Sequence, residues 1–210
     1  MNNQVQKNIR VFLADDHPAV RQGLSLLLAQ ENIVVCAEAE SCSETLARID
    51  AVAPDIALID LSLGDESGLD LIQELTGRDI PVLIYSMHED PEVVEQCFIR
   101  GASGYVTKRE DASVLLRAIR DVQAGKRHIS PRIAQSLASR VLHPAQSASP
   151  LSARQIQIMT MLGQGGSNKE IANELGISVR TLESYFSRII EKIGVDGIKE
   201  LRKHAIRSRK

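Results

Sequence analysis

Apolar residues along the chain fall into two alternating rhythms. Short, nearly continuous apolar runs occur at IRVFLA (9–14), IVVCAEA (33–39), DIALID (55–60), PVLIYS (81–86) and GYVTK (104–108), with the length expected of buried strands. Between them lie amphipathic stretches at 18–30, 43–52, 67–76 and 90–100, with a last one at 111–124. In the first of these, Val20, Leu24, Leu27 and Leu28 recur at i, i+4, i+7 and i+8, which is helical spacing. Five strand–helix units predict an α/β fold with a doubly wound, five-stranded parallel sheet. The pattern breaks at HPAQSASP (143–150), a short polar segment with the Ala, Ser and Pro content of a linker. Beyond it only helical patterning recurs, predicting a small all-α domain. The expected organisation is therefore a first domain over 1–128, a linker over 129–149 with room for a helix, and a second domain over 150–210.

Charge sharpens this division. The net charge of the 210-residue chain is −2, but it is unevenly distributed. Residues 1–130 carry 12 Lys and Arg against 21 Asp and Glu, a net −9, and residues 131–210 carry 13 against 6, a net +7. An acidic front and a basic back imply different partners, and a basic terminal domain points toward nucleic acid. Hydrophobic residues make up 43% and charged residues 25%, enough apolar material for globular cores and too much for bulk disorder. No apolar run approaches the ~20 residues of a membrane span, so no membrane partner is expected. The N-terminus lacks a secretory signal pattern. The cysteines Cys36, Cys42 and Cys97 are odd in number and widely spaced, which suits the thiols of a reducing cytoplasm better than a disulfide or zinc framework.

Candidate chemistry gathers at the strand ends. Asp15 and Asp16 end the first predicted strand, Asp60 the third, Ser86 the fourth and Lys108 the fifth. In an open parallel sheet, ligands bind beyond the carboxyl ends of the strands, where strand order reverses. Three carboxylates meeting there repel one another and call for a hard cation with oxygen ligands, for which Mg²⁺ is suited. The cation would leave one carboxylate as a nucleophile toward phosphorus, with Lys108 and the Ser86 hydroxyl available to the added phosphoryl oxygens. Taken singly, each residue has a plainer reading. A DD pair is often a turn or a helix cap, Tyr105 can be core, and His17-Pro18 reads as a helix start.

Taken together, these residues resemble the receiver domain of bacterial two-component response regulators over about residues 8–125. The resemblance implies strand order 2-1-3-4-5 and a phosphoryl group accepted by Asp60 from the phosphohistidine of a sensor histidine kinase. It further implies Mg²⁺ held directly by Asp16, Asp60 and the Ser62 carbonyl and through water by Asp15, with Ser86 and Tyr105 as a switch pair beside Lys108. Two positions depart from the family pattern. DLSLGDESG places Leu63 and Gly64 where D-x-x-M-P is common, and Met87 is bulkier than the usual small residue after Ser86.

The back segment has its own signature. Ser167 and Glu170 form an S-x-x-E capping box, Gly176 stops that helix and Ser178 can cap the next. Helix, short glycine-containing turn, helix is the helix-turn-helix pattern. In the second helix Leu182, Phe186, Ile189, Ile190 and Ile193 form the expected core face, opposite Arg180, Glu183, Ser184, Ser187 and Arg188. G-x-S-N-K-E-I-A-x-x-L-x-I-S-x-x-T (165–181) is similar to the LuxR-type DNA-binding domain over about 150–206, and the two halves together resemble the NarL/FixJ group of response regulators. DNA contact is expected from Lys169, Arg180, Thr181, Glu183, Ser184, Ser187, Arg188 and Lys192. TLESY (181–185) stands where members often have T-V-K-x-H, and Glu183 can accept from cytosine N4 instead of gripping phosphate. An apolar stripe of Ile198, Leu201 and Ala205, with room for Ile206, in the last helix is a candidate dimer surface, and core of its own domain is the plainer alternative.

The expectation is a cytoplasmic, phosphorylation-controlled transcription regulator, not a turnover enzyme, that pairs as a homodimer on phosphorylation and reads two DNA half-sites. Two rivals come from other classes. An Asp-nucleophile phosphatase typically has an acid–base carboxylate two residues after its nucleophile, where this chain has Ser62. A constitutive DNA-binding protein would keep the front domain only as a scaffold.

Overall fold

The structure is a computed structural model that describes residues 8–63, 66–142 and 151–208. It divides into two compact units, the first running to Leu137 and the second starting at Ala138. In the first, β1 (Ile9–Ala14), β2 (Ile33–Ala39), β3 (Ile56–Ile59), β6 (Val82–Ser86) and β7 (Gly104–Thr107) occupy the five predicted strand positions. They pair in the parallel order β2-β1-β3-β6-β7. β1 lies between β2 and β3, so the chain reverses direction across the sheet there and leaves a crevice beyond the ends of β1 and β3. Val11, Leu13, Leu58, Leu83 and Val106 form one side of a core with Leu24 and Leu28 of α1 (Pro18–Gln30) and Leu115, Ile119 and Val122 of α5 (Ala112–Gln123). α2 (Cys42–Val52), α3 (Gly68–Thr76) and α4 (Pro91–Ile99) complete the unit, α2 against β1 and β2 and α3 against β6 and α4.

The sheet has six strands, not five. β8 (His128–Ile129) adds to the edge beside β7, pairing Gly104 with His128 and Tyr105 with Ile129. Two residues are too few to show strand periodicity, which is why the pattern of the chain does not reveal it. Gly104 permits this approach: a Cβ there would lie 2.8 Å from Leu83 Cδ1 and 3.0 Å from the His128 carbonyl. A small antiparallel hairpin, β4 (Ser62–Leu63) with β5 (Glu66–Ser67), follows Asp60. Gly64, between these strands, lies outside the described residues.

The first unit also extends past residue 128, where the chain pattern places its end. α6 (Pro131–Leu142) fills the predicted linker helix, and its first turns belong to this unit. Ile133 is fully buried, Ser136 Oγ donates to the Glu89 carbonyl at 2.9 Å, and Glu110 Oε1 accepts from the Arg132 amide at 2.8 Å. The predicted linker at 143–150 lies outside the described residues.

The second unit is all-helical: α7 (Ala153–Gly163), α8 (Asn168–Leu175), α9 (Val179–Ile193) and α10 (Gly197–Arg207). Local chemistry sets each boundary. Ser152 with Gln155, and Ser167 with Glu170, form reciprocal capping boxes that satisfy helix-end amides. Ser178 caps α9 by accepting from the Thr181 amide. Gly176 (φ 63°) and Gly194 (φ 74°) end α8 and α9 in the left-handed region, where a Cβ would be strained. Ile158, Leu162, Ile171, Leu182, Tyr185, Phe186, Ile189 and Leu201 are buried. Among the described residues, no helix is long and apolar enough to cross a membrane.

Two glycines give opposite expectations. A Cβ on Gly163 would lie 2.7 Å from the Ala205 carbonyl of α10, backbone that cannot rotate aside, so Gly163→Ala should cost the second unit about 1–3 kcal/mol. Gly23, inside α1, has nothing within 4 Å of its Cβ position, so Gly23→Ala should add roughly 0.5–1 kcal/mol to the first unit. Urea denaturation of each variant of the full chain, followed by circular dichroism, checks both signs.

Candidate functional site

The polar cluster forms where the two central strands end. β1 delivers Asp15 and Asp16, and β3 delivers Asp60, whose amide donates to the Ala14 carbonyl at 2.8 Å. Asp15 is 1% and Asp60 5% exposed, so neither carboxylate is screened by bulk water. Lys108, next after β7, reaches back into the crevice, and its Nζ donates to Asp15 Oδ2 at 2.6 Å and Asp60 Oδ2 at 2.7 Å. Burial opposes the ammonium charge, but the Asp60 charge and the hydrogen bonds to Asp15 and Asp60 outweigh it and hold the Lys108 pKa above its ordinary value. The other carboxylate oxygens are braced by backbone: Asp15 Oδ1 accepts from the His17 amide at 2.8 Å, and Asp60 Oδ1 from the Ser62 amide at 3.2 Å.

Ligand atoms of Asp15, Asp16, His17 and Asp60 all lie within 4.8 Å of one another. Three carboxylates at this spacing form an oxygen-rich donor set of the kind a hard divalent cation takes. His17 is the N-cap of α1, as its HP dipeptide predicts, and its Nδ1 pairs with Asp16 Oδ1 at 2.6 Å.

Ser86 is 1% exposed, its Oγ makes no hydrogen bond among the described residues, and its carbonyl accepts from the Lys108 amide at 2.9 Å. A buried hydroxyl with an unused donor beside the acidic cluster is suited to an arriving oxygen. Tyr105 lies in the core, fully buried, with its hydroxyl donating to the His88 carbonyl at 2.8 Å. Ser62 Oγ lies 3.4 Å from His88 Nε2.

Three features of the pocket have no counterpart in the pattern of the chain. The Tyr85 ring lies under the Lys108 ammonium, 5.8 Å from the ring centroid. His88 is buried between Ser62 and Tyr105. A Cβ on Gly68 would lie 2.5 Å from the Asp60 carbonyl, so only glycine lets α3 begin against the acidic loop. The strand-plus-turn pattern signals none of these, because each depends on a neighbour distant in sequence.

The second candidate site is the outer face of α9. Arg180, Glu183 and Ser187 are exposed, Ser184 and Arg188 half-exposed, and Lys169 is exposed at the start of α8. Ser184 Oγ donates to the Arg180 carbonyl and Ser187 Oγ to the Glu183 carbonyl, one turn back in each case. Arg188 lies over the Tyr185 ring at 5.9 Å. Lys192 is exposed and donates to Gln155 Oε1 at 3.0 Å, tying the end of α9 to the cap of α7.

Two expectations need correction. Thr181 is only 4% exposed, and its Oγ1 shares a 2.8 Å hydrogen bond with Ser178 Oγ, so it belongs to the α9 cap and not to the outer face. In α10, Leu201 is fully buried and Ala205 4% exposed, packed within their own unit where α10 meets α7 and α9. Heptad-like spacing alone cannot tell a dimer stripe from an internal one. Of the three stripe residues, Ile198 alone faces outward, at 40% exposure.

Comparison with known proteins matches the geometry. Residues 11–120 match the model of the response regulator receiver domain, and residues 149–205 that of the bacterial regulatory proteins of the luxR family. The DNA-binding transcriptional activator DevR/DosR of Mycobacterium tuberculosis is 37% identical over 90% of this chain and 89% of its own. The transcriptional regulatory protein UhpA of Salmonella typhimurium is 36% identical over 92% and 95%. The crystal structure of a LuxR-family two-component response regulator from Aurantimonas sp. SI85-9A1 superposes with a TM-score of 0.62 at 35% identity, covering 65% of this chain and 99% of that one. With the strand-end acids gathered on Lys108 and a capped helix-turn-helix behind them, this chain belongs to the two-component response regulators of the NarL/FixJ group, joining a receiver to a LuxR-type DNA-binding domain.

Proposed function

We propose that Asp60 accepts a phosphoryl group from the phosphohistidine of a sensor histidine kinase, and that this transfer controls dimerisation and DNA binding. The observation that carries the reading is the Lys108 ammonium held between Asp15 and Asp60 at 2.6 and 2.7 Å, in a crevice built from three strand ends. An Asp60 oxygen attacks phosphorus, the O–P bond forms, and the N–P bond breaks with its electron pair returning to the imidazole of the kinase. Asp16, Asp60 and the Ser62 carbonyl would hold Mg²⁺, with Asp15 reaching it through water, and the ion would supply positive charge that offsets the charge of the reacting oxygens. Lys108 then exchanges carboxylate for phosphoryl oxygen, and the buried Ser86 hydroxyl donates to another. The new group carries up to about −2 of charge, enough to move both side chains. His88, whose carbonyl receives the Tyr105 hydroxyl, connects that movement to the switch tyrosine.

In the second unit, Lys169, Arg180 and Arg188 grip phosphate, and Glu183, Ser184 and Ser187 face base edges, with Lys192 at the far end of α9. Two subunits would bring two such helices to half-sites about one helical turn apart, or a multiple of that. Ile198 and Ile206, in place of the buried Leu201, are the exposed apolar positions of α10 available to a partner subunit. The phosphatase alternative has little support, since Ser62 occupies the acid–base position and the family regulates transcription.

Incubation with a small phosphodonor and Mg²⁺ should add one phosphoryl group that hydroxylamine removes. Asp60→Asn, or removal of the metal, should abolish it, as read by intact-protein mass spectrometry. Labelling that persists in Asp60→Asn rejects the site.

DNA binding should follow the charge division. A fragment from about residue 145 onward should bind DNA with an affinity that falls steeply with salt, and the first unit alone, fragment 1–137, should not bind. In the full chain, phosphorylation should favour DNA with two half-sites over DNA with one, and Ile198→Glu should remove that gain while leaving Asp60 labelling intact. Fluorescence anisotropy at fixed salt measures each.

A further inference from the structure

Arg21 lies on the second turn of α1, outside the acidic cluster, and belongs to no expected site. Its Nη1 donates to the backbone carbonyl of Asp15 at 2.6 Å. Its Nε donates to Glu38 Oε2 at 3.3 Å, and Glu40 Oε2 lies 3.9 Å from its Nη2. Glu38 is held in turn by Ser25 Oγ, which donates to its other oxygen at 2.8 Å. The Arg21 side chain is 15% exposed, although Glu38 and Glu40 themselves reach solvent.

The position of the Asp15 carbonyl matters because it orients the peptide joining Asp15 to Asp16. The Asp15 amide donates to the Ala39 carbonyl at the end of β2, at 3.1 Å. Arg21 holds the carbonyl side of the same residue, while its own fork rests on Glu38 and Glu40, which flank Ala39. The turn after β1 is therefore tied to the end of β2 through both the amide and the carbonyl of Asp15. Asp15 Oδ1 and Oδ2 are set by the His17 amide and by Lys108. Arg21 differs from these anchors in that its side chain contacts the Asp15 backbone and neither carboxylate.

We infer that Arg21 is a positioning residue for the acidic pocket: by holding the Asp15 carbonyl it sets the directions of the Asp15 and Asp16 carboxylates and so the pocket's affinity for a divalent cation. This rests on the reading of the pocket as a metal-dependent phosphoacceptor site. It makes a prediction opposite in sign to simple electrostatics. A guanidinium near a divalent site repels the ion, so its charge acting alone would weaken binding, and its removal would tighten it. Loss of an outer anchor instead weakens metal affinity, typically about ten- to a hundredfold.

The experiment uses the full chain and Mn²⁺ as the probe, with free ion counted by electron paramagnetic resonance. Arg21→Ala should raise the Mn²⁺ dissociation constant about tenfold or more, and Arg21→Lys, which keeps the charge but loses the fork, should fall between it and wild type. Asp60 labelling should slow at low Mg²⁺ and recover at saturating Mg²⁺. Arg48→Ala is the control: Arg48 Nη1 also donates to a carbonyl at the end of β2, that of Glu38 at 3.0 Å, but it makes no bond to the Asp15 turn. It should leave the dissociation constant unchanged. Urea midpoints monitor folding. If Arg21→Ala is folded and binds Mn²⁺ as tightly as wild type, or more tightly, the inference is overturned. If Arg21→Ala does not fold, Arg21→Lys decides, and a dissociation constant within about twofold of wild type overturns it. Wild-type protein that binds no Mn²⁺ overturns the phosphoacceptor reading as well, whereas wild type that binds Mn²⁺ and labels at Asp60 isolates a failure to Arg21.

Discussion

Carboxylates at the ends of adjacent parallel strands repel one another, and in this molecule the repulsion is offset by one ammonium. Lys108 touches both Asp15 and Asp60, and it comes from a strand two places away from β3 in the sheet. Removing one member of so enclosed an ion pair costs about 3–5 kcal/mol in comparable settings, because a buried charge is left without its partner. The same contact leaves the pocket responsive. In the proposed function this ammonium exchanges carboxylate for phosphoryl oxygen, and its raised pKa keeps it charged throughout the physiological range.

The fold supports that contact by bringing strand ends to one edge. Because β1, β3, β6 and β7 run parallel, their carboxyl ends deliver Asp15, Asp60, Ser86 and Lys108 to the same rim, though 93 residues separate Asp15 from Lys108. Backbone does much of the finer aiming. The His17 and Ser62 amides orient the two carboxylates, and Gly68 lets α3 start against the Asp60 carbonyl. The loops after β6 and β7 also hold α6, through the Glu89 carbonyl and the Glu110 carboxylate. The segment that leads out of the receiver is thus anchored beside the two residues expected to sense the phosphoryl group.

The second unit has a different economy. Serine caps and left-handed glycines set its helix boundaries, and a close approach of α7 to α10 at Gly163 sets their spacing. Its outer α9 face is polar and short-chained. Ser184 and Ser187 donate their hydroxyl hydrogens one turn back and keep lone pairs facing outward, so with Glu183 the middle of the face is rich in acceptors between Arg180 and Arg188.

The sequence by itself determined the strand and helix positions, the helix caps, the charge division and the strand-end residues, because each is written in local periodicity or in adjacent residues. DD at one strand end and Lys at another are legible once the parallel order is known, since that order dictates a shared rim. Tertiary structure decided what depends on distant neighbours. β8 exists because Gly104 admits a two-residue edge, which no period announces. Leu201 and Ala205 turn inward because packing within the unit, not spacing along the helix, selects the buried face. Arg21 finds the Asp15 carbonyl only when the first turns of α1 fold back over the end of β1, a contact that no residue pattern encodes and only assembled backbone creates.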